Sequence, residues 1–253
     1  MIILLSPAKS LQDTPTLSLK TTQIRLKKET AELAQRLGEL PLHELKKLMK
    51  LSDTLASLNY GRYQDFSSKF TKKNALPAGF TFSGAVFQGL DLASLSKDQI
   101  IFAQAHLRIL SGLYGVLRPL DLIQPYRLEM GTKLQLAEHK NLYSFWGDKI
   151  TKLINKDLKK VNANTIINLA SKEYFKSIIP SQLNGRLLTI DFREERDGKF
   201  KFITFNAKKA RGLMTRYILQ NKIQNPEDLK YFLDDNYAFN VDLSKNDHWI
   251  FTR

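Results

Sequence analysis

The chain opens on an unbroken apolar run, Met1–Leu5 (MIILL), closed by Ser6-Pro7. A short β-branched-rich run with no polar alternation is the pattern of a central strand buried on both faces and emptying into a loop. Thr165–Ala170 (TIINLA) repeats it, with Ser171 placed to cap a short helix holding Lys172, Glu173 and Lys176. Residues 185–192 and 199–205 are strand-like and bracket Asp197-Gly198, a hairpin signal that adds antiparallel strands. Thr81–Phe87 reads as a further strand, though its alternation is too poor to fix its faces.

Helical spacing fills the intervals. Residues 23–37 form a helix stopped by Leu37-Gly38, Leu42–Met49 follows Pro41 as a second, and a third runs from Ser52 to about Gln64. Ser96 with Gln99 makes a capping box, and Ile100, Ala103, Leu107 and Leu110 keep one apolar face until Ser111-Gly112. Ser144–Val161 carries Ile150, Leu153, Ile154 and Leu158 on one side and lysines on the other. Asn225-Pro226 opens a short helix, and Tyr237–Val241 and Trp249–Phe251 add edge strands. The fold expected is α/β (α+β): one compact domain over residues 1–253, with a mixed central sheet flanked by helices.

Asn206 is placed to cap one more helix, over 206–219. At about 100° per residue, Lys208, Lys209, Arg211, Gly212, Thr215 and Arg216 share one side, and Ala210, Leu213, Met214, Tyr217 and Ile218 the other. The pattern reads as a basic amphipathic helix whose cationic side faces a polyanion or plain solvent, with Gly212 permitting close approach of a ligand backbone. Its apolar side matches a core helix better than a membrane helix.

One stretch resists assignment to a regular element. SGLYGVLRPLDLIQPYRLEMG, residues 111–131, combines Pro119 and Pro125 with glycines at 112, 115 and 131, which rules out one long helix. It is also too apolar for a solvent loop. It reads as a buried, irregular site wall presenting Arg118, Arg127 and Glu129. Charges there need partners or a ligand, so Arg118–Asp121 and Arg127–Glu129 ion pairs that only shape the fold remain open.

Composition narrows the partners. The 253 residues are 43% hydrophobic, which suits a globular chain with a sizeable core. Lys plus Arg 39 against Asp plus Glu 25 gives +14 and a pI near 9.7, favouring polyanions by attraction and counterion release. Cysteine is absent, which excludes disulfides, thiolate metal sites and any thiol-peroxidase mechanism. His43, His106, His139 and His248 are scattered without metal-ligand spacing, and neither a metal nor a cofactor is expected. MIILLSPAKS lacks the features of a signal peptide or anchor, so the cytoplasm and no membrane partner are the expectation.

LLSPAKS at 4–10, the 111–131 segment, NLASKEYFKS at 168–177 and FNAKKARGLMTRYI at 205–218 resemble the bacterial YaaA family of peroxide-stress proteins. The resemblance runs in order along most of the chain. It implies a cytosolic protein that limits oxidative damage, is linked to intracellular iron control, and binds DNA through a positively charged cleft and a helix-hairpin-helix element. The helix, short turn and helix around Gly38, flanked by Lys46, Lys47 and Lys50, is the place for that element, although the usual pair of hairpin glycines is reduced to Gly38 and the residues alone fit an ordinary αα-hairpin better.

The expected phosphate contacts are Lys9, just beyond the first strand, with Arg118, Arg127, Lys172, Lys208, Lys209, Arg211 and Arg216, and the 38–50 hairpin as an outlying contact. DNA would be held through its phosphates without reading sequence, and no obligatory protein partner is evident. The rival is an enzyme acting on a nucleotide or nucleic acid, with the same cations on phosphate and Glu129 or Glu173 as acid or base. Iron sequestration through carboxylates ranks last, because no clustered carboxylate pattern appears.

Overall fold

The computed structural model describes residues 1–12 and 19–253. MIILL becomes β1 (Ile2–Leu5), buried throughout and flanked by a parallel partner on each side, as a two-faced apolar run requires. Those partners are β2 (Leu107–Ser111) and β4 (Thr165–Asn168), while β3 (Gly115–Leu117) pairs antiparallel outside β2. Beyond β4 come β5 (Arg186–Arg196), parallel to it, and β8 (His248–Thr252), parallel to β5. β6 (Lys199–Lys201) forms the expected hairpin with β5, and β7 (Ala238–Lys245) closes the far edge against β8. The sheet of eight strands thus runs β7-β8-β5-β4-β1-β2-β3, with β6 pairing β5, and its parallel interior has antiparallel edges.

Helices cover it. The first three are α1 (Lys27–Gly38), which begins at Lys27 rather than at residue 23, and α2 (Leu42–Met49) and α3 (Asp53–Gln64, capped by Ser52), which stand as expected. The Thr81–Phe87 strand does not form: Phe82–Ser83 makes a two-residue bridge strand with Ser10–Leu11, followed by α4 (Ala85–Leu90). The Ser96–Gln99 capping box starts α5 (Lys97–His106), yet the helix ends at His106 and the next five residues become β2. Leu107 and Leu110 are therefore strand residues, between β1 and the edge strand β3. Ser144–Val161 is also two helices, α6 (Leu142–Trp146) and α7 (Lys149–Lys160), split where Gly147 takes φ of +50°. Short α8 (Lys172–Phe175) follows β4.

The last long helix, α9 (Thr204–Gln220), begins before Asn206, with Ile203 at its N-cap. Its faces correct the helical-wheel reading. Arg211, Gly212 and Thr215 are buried, because this side packs on α4. A Cβ at Gly212 would run into the Val86 carbonyl, and one at Gly89 into the Lys209 carbonyl, so a glycine on each helix lets the two backbones cross in contact. Gly212 serves this crossing and is closed to a ligand.

The helical face and sheet share one apolar core that includes Leu33, Phe82, Tyr114, Trp146, Ile167, Phe192 and Met214. Within it sits an ionic cluster: Asp157 accepts two hydrogen bonds from Arg25 Nη1 (2.9 and 2.8 Å) and one from Arg108 Nε (2.6 Å). Burial would raise the Asp157 pKa, but the two guanidinium groups outweigh it and hold the carboxyl below its ordinary range.

Candidate functional site

β1 and β4 are neighbours, but the chain leaves them in opposite directions, toward β2 from the first and toward β5 from the second. Such a switch opens a crevice beyond the strand carboxyl ends. The two ends are tied across it. The Leu169 N–H donates to the Leu4 carbonyl (3.0 Å), the Ser171 N–H to Ser6 Oγ (2.9 Å), and Ser6 Oγ to Ser171 Oγ (3.3 Å). Ser171 occupies the N-cap of α8 without capping it, its hydroxyl being engaged with Ser6 instead.

The 111–131 segment walls this crevice. A buried irregular backbone must place its polar groups somewhere, and three tyrosines supply much of the answer. The Tyr63 hydroxyl donates to the Arg127 carbonyl (2.7 Å), the Tyr114 hydroxyl donates to the Gln124 carbonyl (3.0 Å), and Tyr126 shares a 2.7 Å bond with Ser111. Burial pushes all three phenols well above their ordinary pKa, keeping them neutral donors. At Gly112 the Leu128 carbonyl stands where a Cβ would be, so the segment lies directly on the end of β2 and carries Glu129 over the sheet.

Glu129 sits between two cations, with Lys9 Nζ at 2.8 Å from Oε2 and Arg127 Nη2 at 3.3 Å from Oε1. Glu173 Oε1 accepts the Gly131 N–H at 2.9 Å. Both carboxylates line two cavities. The inner crevice, about 300 Å³, is bounded by Ser6, Lys9, Gly84, Ser171, Lys208 and Arg211 among others. The outer trough, about 940 Å³, lies between α2 with its C-cap (His43, Glu44, Lys47, then Lys50) and the strip Arg127–Lys133.

Eight of the anticipated residues therefore come together here: Lys9, Lys47, Lys50, Arg127, Glu129, Glu173, Lys208 and Arg211. Others do not line it. Arg118 is clamped on Asp121, which is fully buried, with Nη2 to Oδ1 at 2.7 Å and a further bond to the Gln23 carbonyl; this is the fold-shaping pair. Arg216 holds the end of α4 through the Leu90 and Asp91 carbonyls (3.2 and 2.9 Å) and Ser94 Oγ (2.7 Å). Lys46 pairs with Asp53 at 2.6 Å, Lys209 lies 3.6 Å from Asp235, and Lys172 is exposed on α8 outside both cavities.

The α1–α2 turn has fewer open donors than a phosphate-gripping hairpin needs. The Glu39 and Leu40 N–H groups bond back to Gln35 and Leu37, Pro41 has none, and Gly38 is simply the last helical residue. What remains is the first turn of α2, with α3 packed against both helices.

Sequence reasoning missed Lys133, which adds a cation to the trough, and the support of Arg211. Arg211 is only 8% exposed; its Nη2 meets Asp191 Oδ1 at 3.3 Å, and Asp191 Oδ2 holds His248 Nε2 at 2.9 Å. Among the described residues, Arg211 Nε has no hydrogen-bond partner, nor has Arg127 Nε. Burial lowers the Arg211 pKa against the counter-effect of Asp191. Asp191 sits in the polar phase of the β5 alternation and only its position could have marked it. The cavity walls are mixed rather than uniformly basic, the trough setting four cations against three carboxylates. Among the described residues, no group of three or more His, Cys, Asp and Glu side chains could hold a metal ion, and no helix is long and apolar enough to cross a membrane.

Comparison with known proteins agrees with the whole length of this architecture. A family model described as peroxide stress protein YaaA matches residues 1–243. A UPF0246 protein of Saccharophagus degradans is 53% identical over 100% of this chain and 99% of its own. Those of Hahella chejuensis and Teredinibacter turnerae are 50% and 48% identical over the same shares. Identity at that level from end to end, with the strand-end loops and the 111–131 wall all inside the matched span, means that the chain belongs to the YaaA family of peroxide stress proteins, the UPF0246 proteins.

Proposed function

We propose that this oxidative-stress protein acts in the cytoplasm by binding DNA, duplex or branched, through phosphates, and so limits oxidative DNA damage. The observation that carries the reading is convergence: Lys9, Lys47, Lys50, Arg127, Lys133, Lys208 and Arg211 come from separate segments and line one joined pair of cavities. With a net charge of +14 behind it, such a surface attracts a polyanion and gains from counterion release. Exposed Lys209 and Lys172 and the first turn of α2 extend the contact. The link to intracellular iron belongs to the same proposal and rests on family membership alone. The test is binding of unrelated duplexes and a four-way junction across a salt series. A steep, sequence-independent slope supports the reading, and an affinity insensitive to salt overturns it.

A second reading has its own support. Phosphate binding alone does not call for carboxylates in the cavity, yet Glu129 is held between Lys9 and Arg127 and Glu173 lines the same space. An enzyme acting on a nucleotide or nucleic acid would use one of them as acid or base.

A further inference from the structure

The inner crevice is separate in kind from the trough that faces solvent beside α2. We propose that it binds a small phosphomonoester about the size of one nucleotide, bound on its own rather than as part of a DNA chain. This extends the second reading above and does not depend on DNA binding.

Place, size and chemistry argue for it together. The crevice lies at the switch between β1 and β4, where doubly wound sheets hold their ligands. At about 300 Å³ it falls at the lower end of small-molecule pockets and cannot admit a duplex. Its floor is fixed in advance by the Ser6–Ser171 tie, so little ordering remains for a ligand to impose.

The polar groups divide by the element that carries them. Lys208 and Arg211 enter from α9; Lys208 is exposed and, among the described residues, has no carboxylate within ion-pair distance. Arg211 is held in place by Asp191 but keeps an Nε donor without a partner among the described residues. That pair suits a dianionic phosphate, for which cations and N–H donors are matched partners. From the 111–131 wall and α8, Glu129 and Glu173 offer acceptors, and they fit hydroxyl or amino hydrogens rather than a second phosphate. Pro7, Ala85, Val86 and Leu169 supply apolar wall. A ligand with one charged end and one hydrogen-bond-donating end satisfies both, which a bare anion does not. Lys9, 61% exposed at its side chain and bonded to Glu129, adds a further cation to the lining.

The experiment uses the full chain, with titration calorimetry and thermal melting against adenosine 5′-monophosphate, ribose 5-phosphate, inorganic phosphate and adenosine. Expected are one-to-one binding of the two monoesters, a melting temperature that rises with their concentration, and no effect of adenosine. Lys208→Gln and Lys9→Gln, both at exposed positions, should each weaken monoester binding by about tenfold. The proposal is overturned if neither monoester binds at about 10 mM, if adenosine or inorganic phosphate binds as well as the monoesters, or if both variants bind like the parent. Duplex binding is measured on the same samples. Its absence beside intact monoester binding counts against the DNA reading alone.

Discussion

Glu129 Oε2 lies 2.8 Å from Lys9 Nζ, which ties the loop leaving the central strand to the irregular wall over the neighbouring strand. Both side chains are accessible, at 28% and 61%, so the pair is worth at most about 1 kcal/mol of stability. Its weight is electrostatic: it sets a negative charge among the cations that line the two cavities.

Glu129→Gln separates the two functional readings. The amide keeps an oxygen for Lys9 or Arg127 while removing the charge, so folding should hold and duplex affinity should stay within a few-fold of the parent, as gel shift or anisotropy would measure. If this variant binds DNA normally and fails to protect cells from peroxide, the enzyme reading takes over.

A second expectation follows from composition. With no cysteine, no thiolate is available to attack peroxide. The purified, metal-free protein should leave hydrogen peroxide unconsumed over hours in an oxygen-electrode assay, and sustained turnover would contradict the view that protection is indirect.

The α4–α9 crossing is the most sterically restricted contact in the helical layer. In Gly212→Ala the new methyl meets the Val86 carbonyl, which is backbone and cannot rotate away. Separating two packed helices should cost about 2–3 kcal/mol, or roughly 5–10 °C of melting temperature at this chain length. Gly61→Ala, where nothing lies within 4 Å of the added Cβ, should lose none of this.

Asp157→Asn addresses the buried cluster. Arg25 and Arg108 then share a site with no counter-charge, and breaking a buried pair in this way costs about 3–5 kcal/mol, visible as a lower urea midpoint. In the parent the folded-state pKa of Asp157 is depressed, so its contribution is complete above the unfolded value of about 3.9 and is lost as pH falls through the lower folded one. The variant should show a correspondingly shallower loss of stability below pH 4.

Much of the fold was legible because its central strands are short apolar runs with clear ends. MIILL, TIINLA and the Asp197-Gly198 hairpin needed no tertiary information. The α5–β2 boundary was hidden by the same property. Leu107 and Leu110 fit a helical period, but Leu107–Ser111 is buried at every position, and a segment buried on all sides carries no period to read. Arg211 was misassigned for a related reason: a wheel places charge outward, whereas α4 docks on that side through Gly212 and takes Arg211 inside with Asp191. For the site, Lys9, Arg127 and Glu129 could be singled out from their unusual backbone. Their company with α2 and α9 depended on sheet order, which no local pattern encodes.

That burial changes how the electrostatic proposal should be tested. Arg211 is almost wholly buried and paired with Asp191, so replacing it would take the partner from one oxygen of Asp191 and perturb the fold, and a clean variant must avoid it. Lys47, Lys50 and Lys208 are better choices, since each lines a cavity from a helix surface and none is paired with a carboxylate among the described residues. Each phosphate neutralised adds roughly 0.9 to the slope of log K against log salt for duplex DNA, so the triple glutamine variant should flatten that slope by about two to three units. Affinity should fall alike on unrelated sequences, because phosphate contacts carry no base information. Melting temperature should stay within about 2 °C of the parent, since surface substitutions of this kind change stability little. An unchanged slope in the folded variant would mean that these lysines only solvate the surface, and that whatever DNA the protein holds is held elsewhere.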